Sequence, residues 1–116
     1  MEYLHFDQLA DEIEIPKKGI TSYSLISEPH VRVVVFGFAD GEEMTEHTAA
    51  VPAIAHVLSG EFKFTVPDKT FNFKAGSWIH MDAHLPHSLV AKGDSKLVLY
   101  LCRGLKSAGK SNARYK

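Results

Sequence analysis

Turn-forming residues punctuate this sequence roughly every eight to twelve positions, at Gly19, Pro29, Gly41, Pro52, Gly60, Pro67, Gly76, Pro86 and Gly93. Glycine reaches backbone angles other residues avoid, and proline removes a hydrogen-bond donor, so each of these positions tends to end an element. The segments between them are short. A chain divided this way is restricted to short strands joined by turns, which points to a β-sandwich or a β-barrel. No long helical run separates the strands, which argues against a parallel sheet built from β-α-β units.

The segments themselves read as strands. The run 31–39 (VRVVVFGFA) is β-branched and aromatic, and is the strongest strand of the first half. Gly37 within it marks a bulge or a close approach of another backbone. Residues 61–66 (EFKFTV) alternate cleanly, with Phe62, Phe64 and Val66 on one face, and residues 70–73 (TFNF) match them as a hairpin through Phe71 and Phe73. Further strands are expected at 20–26, 53–58, 77–81, 87–91 and 96–102, eight in all. Phe62, Phe64, Phe71, Phe73 and Trp78 are expected to fill the interior. The stretch 6–14 (FDQLADEIE) reads as one short amphipathic helical turn, with Asp7 as its N-cap and Phe6, Leu9, Ala10 and Ile13 as its apolar stripe.

Composition sets the remaining bounds. At 116 residues, 45% of them hydrophobic, the chain suits one domain with a real core, expected over residues 1–103. The single cysteine, Cys102, makes no internal disulfide and is expected to be a small buried hydrophobe. The acidic N-terminal stretch does not resemble a signal peptide, and no apolar run approaches the ~20 residues of a membrane span. A cytoplasmic protein without membrane contact is expected. Five of the thirteen Lys and Arg, and none of the fourteen acids, lie between Arg103 and Lys116. Clustered cations attract phosphates. Without interleaved aromatics or a recognition motif, however, residues 104–116 read as a solvated basic tail, and no nucleic-acid partner is expected.

Histidine carries the functional signal. Five of the seven histidines lie between positions 47 and 87: His47, His56, His80, His84 and His87. Imidazole is the commonest metal ligand and the usual acid–base group near neutrality. Their surroundings are patterned. Gly41 is followed by His47 and later by the segment 52–60 (PAIAHVLSG). Gly76 is followed by the segment 77–87 (SWIHMDAHLPH), ending on His87. These two stretches resemble the first and second motifs of the cupins, small bacterial single-domain members in particular. The resemblance covers about residues 31–102 and implies a double-stranded β-helix, or jelly-roll barrel, of the RmlC-like kind.

The resemblance also implies a ligand set, and the chain departs from it. The family's first motif supplies two histidines and a glutamate to a metal, and its second supplies one histidine. Here His47 and His87 match, while Ala49 and Ala53 stand where the other histidine and the glutamate would be. Asp82 and His84 occupy the proline and glycine positions of the family's Pro-x-Gly turn. Two histidines alone do not hold a divalent ion firmly. Alternation turns His56 and His80 away from the interior if Ala53, Ala55, Val57, Ile79 and Met81 face it. His84, in a loop where alternation does not apply, and Glu46, if its strand bulges there, are then the candidates for a third metal ligand beside His47 and His87.

The expected function is a small-molecule-binding barrel, with His47, His87, Phe64 and Met81 as candidate ligand-binding residues and the two histidines as its polar handles. One alternative is a metal-dependent enzyme of dioxygenase or isomerase type, holding Zn, Fe, Mn or Ni on His47, His87 and one further group. Another is a structural or sensor module. A homodimer is expected, because outward apolar residues such as Leu58 need a cover.

Overall fold

The computed structural model describes residues 2–103, so the basic tail expected at 104–116 lies outside the described residues. Nine strands occur among them: β1 Ile20–Ser27, β2 Val31–Phe38, β3 Glu43–His47, β4 Ala53–Ser59, β5 Glu61–Val66, β6 Lys69–Lys74, β7 Trp78–Met81, β8 His87–Ala91 and β9 Ser95–Cys102. They form two antiparallel sheets, one ordered β1-β2-β9-β4-β7 and the other β3-β8-β5-β6. This is the expected all-β jelly roll. No helix among the described residues is long and apolar enough to cross a membrane.

The main core lies between the sheets. Phe38, Ala53, Ala55, Val57, Met81 and Leu97 come from one sheet, and Phe62, Phe64, Val66, Phe73, Leu89 and Ala91 from the other. Strict alternation places them there: Ala53, Ala55 and Val57 are buried while Ile54, His56 and Leu58 between them face the other way. The β5–β6 hairpin pairs Phe62 with Phe73 and Phe64 with Phe71, as the sequence predicts. At the β4–β5 turn Gly60 adopts a φ of 80°, and a side chain there would collide with Ser95.

A second cluster covers the outer face of the larger sheet. Val33, Val35 and Val98 pack there against Ile13, with Leu9, Leu58 and Tyr100 alongside. Gly37 permits this cover. It sits between Thr21 and Lys96 on the neighbouring strands, and a Cβ built on it would lie 2.5 Å from the Glu14 carbonyl oxygen. Thr21 Oγ1 donates to that same oxygen at 2.8 Å, and Lys96 Nζ donates to the Ala10 carbonyl at 2.6 Å. The N-terminal segment is thus laid across a three-residue row on the sheet. Gly37 is the close approach expected of it.

Several expectations need correction. The helical turn is a single 3-10 helix, Leu9–Glu12, with Gln8 rather than Asp7 at its cap. Asp7 instead pairs with His5 at 2.7 Å. Trp78 is 57% exposed, because β7 is an edge strand and Trp78 lies opposite outward-facing His56. Leu58 is half-buried on the same cluster as the N-terminal segment, which leaves the expected homodimer as it stood. Cys102 is only half-buried. Strand β3 was not anticipated, because EMTEH carries one apolar residue and no alternation.

Candidate functional site

His47 ends β3 and His87 begins β8, and the two are directly paired across the smaller sheet. Their ring centroids lie 4.3 Å apart, inclined at 60°. His87 is 7% exposed, whereas His47 is open to solvent at the barrel mouth. The ring of Phe64 lies parallel to His87, 6.0 Å away.

Both imidazoles are tied in the same way. His47 Nδ1 lies 2.8 Å from the Thr45 carbonyl, and His87 Nδ1 lies 2.9 Å from the Leu85 carbonyl. A carbonyl only accepts, so Nδ1 carries the proton in each case. In the neutral ring Nε2 is then left with its lone pair. Burial holds the His87 imidazole below its ordinary value of 6.5. The Leu85 carbonyl opposes that shift, and the neighbouring His47 adds to it. His87 therefore favours the neutral form, with an acceptor nitrogen inside the barrel.

These histidines open on a small pocket with about 20 Å³ of clear space, little more than one water molecule needs. Its other walls are apolar, among them Phe36, Met44, Phe64, Met81, Leu97 and Leu99. All four residues singled out from the sequence, His47, His87, Phe64 and Met81, line this one pocket. Met44 was missed. It stands three residues before His47, an odd interval that should send the two side chains to opposite faces. The β3–β8 register shifts between Met44 and His47, and this bulge brings both to the same pocket. No residue in EMTEH signals the bulge.

The other histidines are elsewhere. His56 and His80 lie on the outer face of the larger sheet. His84 is exposed in the β7–β8 loop with a φ of 68°, a left-handed conformation suited to the glycine it replaces in the family pattern. Its backbone N–H donates to the Ala49 carbonyl at 2.7 Å and ties two loops together. Glu46 is exposed on β3. Among the described residues no three histidines, cysteines or carboxylates come together in a way that would hold a metal, so the expectation that His84 or Glu46 completes a site with His47 and His87 is not met. The reason is local: the bulge directs Met44 rather than Glu46 to the pocket, and the loop turn keeps His84 outside. Ala53 is packed in the core at 3% exposure, and Ala49 lies in the β3–β4 loop. This donor set does not fit a divalent ion held by three protein ligands.

The fold has relatives among solved structures. A cupin superfamily protein from Desulfitobacterium hafniense is 26% identical, with a TM-score of 0.79 over 83% of this chain and 88% of its own. A conserved protein of unknown function from Streptococcus pyogenes is 25% identical, with a TM-score of 0.78 over 89% of this chain and 90% of its own. A cupin 2 conserved barrel domain protein from Leptotrichia buccalis is 30% identical, with a TM-score of 0.76 over 81% of this chain and 46% of its own. No curated protein matches the sequence. Residues 34–102, which carry both histidines and eight of the nine strands in whole or part, match the Cupin_2 cupin domain. The chain belongs to the cupin family.

Proposed function

We propose that this protein binds a small, largely apolar organic molecule in the barrel, holding a hydroxyl or similar donor group on His47 and His87. The observation that carries this reading is the pair of imidazoles whose Nδ1 atoms are committed to backbone carbonyls, leaving Nε2 acceptors at an otherwise apolar pocket. Apolar walls supply affinity through burial, and two acceptors supply orientation. The clear space beside the histidines is only about 20 Å³, room for one water-sized group, so only the compact polar end of the molecule enters there and its apolar body lies toward the mouth. A carboxylate suits it less well, since the neutral His87 ring presents it with an acceptor rather than a donor. Alanines at 49 and 53 stand where a divalent metalloenzyme of this family would carry donors.

Protein-observed NMR of the histidine rings on metal-free protein tests the reading, with matched fragments such as phenol, benzyl alcohol and benzoate. The hydroxyl-bearing fragments are expected to bind and to shift the His47 and His87 ring signals, and His87→Phe is expected to abolish those shifts. Preferential binding of benzoate, or fragment shifts confined to other histidines, would overturn it. Metal analysis of tag-free protein addresses the metalloenzyme alternative. Zinc or iron near one equivalent, lost in His47→Ala, would favour that alternative; below about a tenth of an equivalent it fails.

A further inference from the structure

The two sheets leave four edge strands among the described residues: β1 and β7 in the larger sheet, β3 and β6 in the smaller. An edge strand carries a row of backbone N–H and C=O groups without ladder partners, and natural proteins blunt such rows with short strands, charged side chains or bulges. Three of the four are blunted. β7 has four residues, β3 (EMTEH) carries Glu43 and Glu46 and its own bulge, and β6 (KTFNFK) has a lysine at each end. β1 (ITSYSLIS) is different. It has eight residues, no charged side chain and no proline. Its register on β2 runs unbroken over residues 20–24 and shifts only between Ser24 and Ile26. Among the described residues, no backbone hydrogen bond besides the β2 ladder reaches residues 20–24.

The composition of β1 says which strand fits it. Antiparallel self-pairing about a two-fold axis would set Lys69 of one β6 opposite Lys74 of another, and like charges directly opposite are destabilising. β1 carries no charge to oppose itself. With the axis at Ser22, the bulge-free stretch pairs with its own copy: Ser22 faces Ser22, Thr21 faces Tyr23 and Ile20 faces Ser24. Thr21 with Tyr23 is an aromatic–β-branched pair, a kind that stabilises sheets. Tyr23 is 57% exposed and has a strand neighbour, Val35, on one side only. A two-fold also closes, whereas joining β1 to β7 of the next copy would propagate head to tail. A stable pair buries about 1,200 Å² or more in total, which calls for side chains beside the ladder. Exposed Tyr3 and Leu4 stand there, next to Leu25 and Ile26 at the end of β1.

We propose that the β1 edge is an interface for a second copy of this chain, at which residues 20–24 of the two copies pair antiparallel about Ser22 and join the two larger sheets into one continuous sheet. The surface is an edge, distinct from the outer face around Leu58 from which a homodimer was expected. It does not depend on the ligand proposed above.

Analytical ultracentrifugation over a range of protein concentrations tests it. The parent is expected to sediment at the mass of two chains. Ser22→Lys and Ser22→Glu each set like charges opposite each other at the axis, and Ser22 is exposed, so a single chain tolerates either. Each variant alone is expected to sediment as one chain with the circular dichroism of the parent. An equimolar mixture of the two is expected to regain the dimer, because opposite charges then meet at the axis, a rescue that a misfolded variant could not give. A monomeric parent, a mass that climbs past two chains with concentration, single variants that remain dimeric, or a mixture that remains monomeric would each overturn the proposal. The fragment experiment reads the histidine rings and not the mass, so the two readings fail or succeed separately.

Discussion

Replacing Gly37 by alanine should destabilise this protein, although the local backbone preference alone has the opposite sign. Glycine within a strand costs about 0.5–1 kcal/mol relative to alanine, so Gly37→Ala without a clash would stabilise by that amount. The structure puts the Glu14 carbonyl oxygen 2.5 Å from the new Cβ, the Glu14 carbonyl carbon at 3.1 Å and Ile15 Cα at 3.2 Å. All three are backbone atoms, so no side chain can swing aside. A relaxed carbon–oxygen contact needs about 3.3 Å, so the N-terminal segment must retreat by roughly 0.8 Å. A gap of that order forfeits about a quarter to a half of the contact energy across it. The segment brings Leu9 and Ile13 onto the outer cluster, and each such side chain is worth about 1.5–3 kcal/mol when buried. The Thr21 and Lys96 hydrogen bonds to the same segment stretch as well. Subtracting the strand preference leaves a packing loss of up to about 2.5 kcal/mol, and the stretched hydrogen bonds add to it, in line with other overpacked sites. Urea unfolding should show a lower midpoint at unchanged slope, and hydrogen exchange should quicken around residues 9–15. A Gly37→Ala protein as stable as the parent, or more stable, would refute the reasoning.

Three further outcomes can be checked by the same unfolding assay. His87 has a lowered pKa in the folded state, so its contribution to stability is complete above its ordinary value of 6.5 and is lost as pH falls through the lower folded value. Replacing it in His87→Phe should remove that part of the acid-side decline, and an identical pH profile for the two proteins would count against the buried neutral imidazole. His84→Gly should be neutral or gain up to about 1 kcal/mol, since relief of left-handed strain is partly offset by the freer unfolded chain, while His84→Val should lose more than about 1 kcal/mol; a glycine variant less stable than the valine one would show that φ is not what limits this loop. Ser95 is fully buried, accepting the Glu61 N–H and lying within donor reach of the Glu61 and Gly93 carbonyls, so Ser95→Ala should cost about 1–3 kcal/mol by stranding Glu61 N. A loss below about 0.5 kcal/mol would mean water replaces the hydroxyl.

Much of the architecture was legible before any coordinates. Phe62, Phe64, Phe71 and Phe73 alternate in a way only a hairpin with one buried face satisfies, and they pair accordingly. Ala53, Ala55 and Val57 face inward and His56 and His80 outward by the same two-residue period. Where the period breaks, the sequence misleads. Trp78 is large and aromatic, yet an edge position on the outer face leaves it exposed. Leu58 packs on a cluster shared with a segment more than forty positions earlier in the chain, which strand alternation could not indicate. Period and composition describe each strand alone, and neither says which distant segment lies on its far side.

The same division runs through the site. Spacing from Gly41 and Gly76 was enough to single out His47 and His87, because a regular strand converts sequence interval into facing direction. The two alanines at 49 and 53 already indicated that the family's usual donors are missing. Only the tertiary structure paired the two rings at 4.3 Å, tied each Nδ1 to a carbonyl two residues earlier and brought Met44 in beside them. A bulge is a pairing property of two strands, so β3 and β8 together decide that Met44 and not Glu46 reaches the pocket. The sequence therefore determined the barrel and the two histidines at its mouth, while the chemistry offered there depends on one extra residue in one strand.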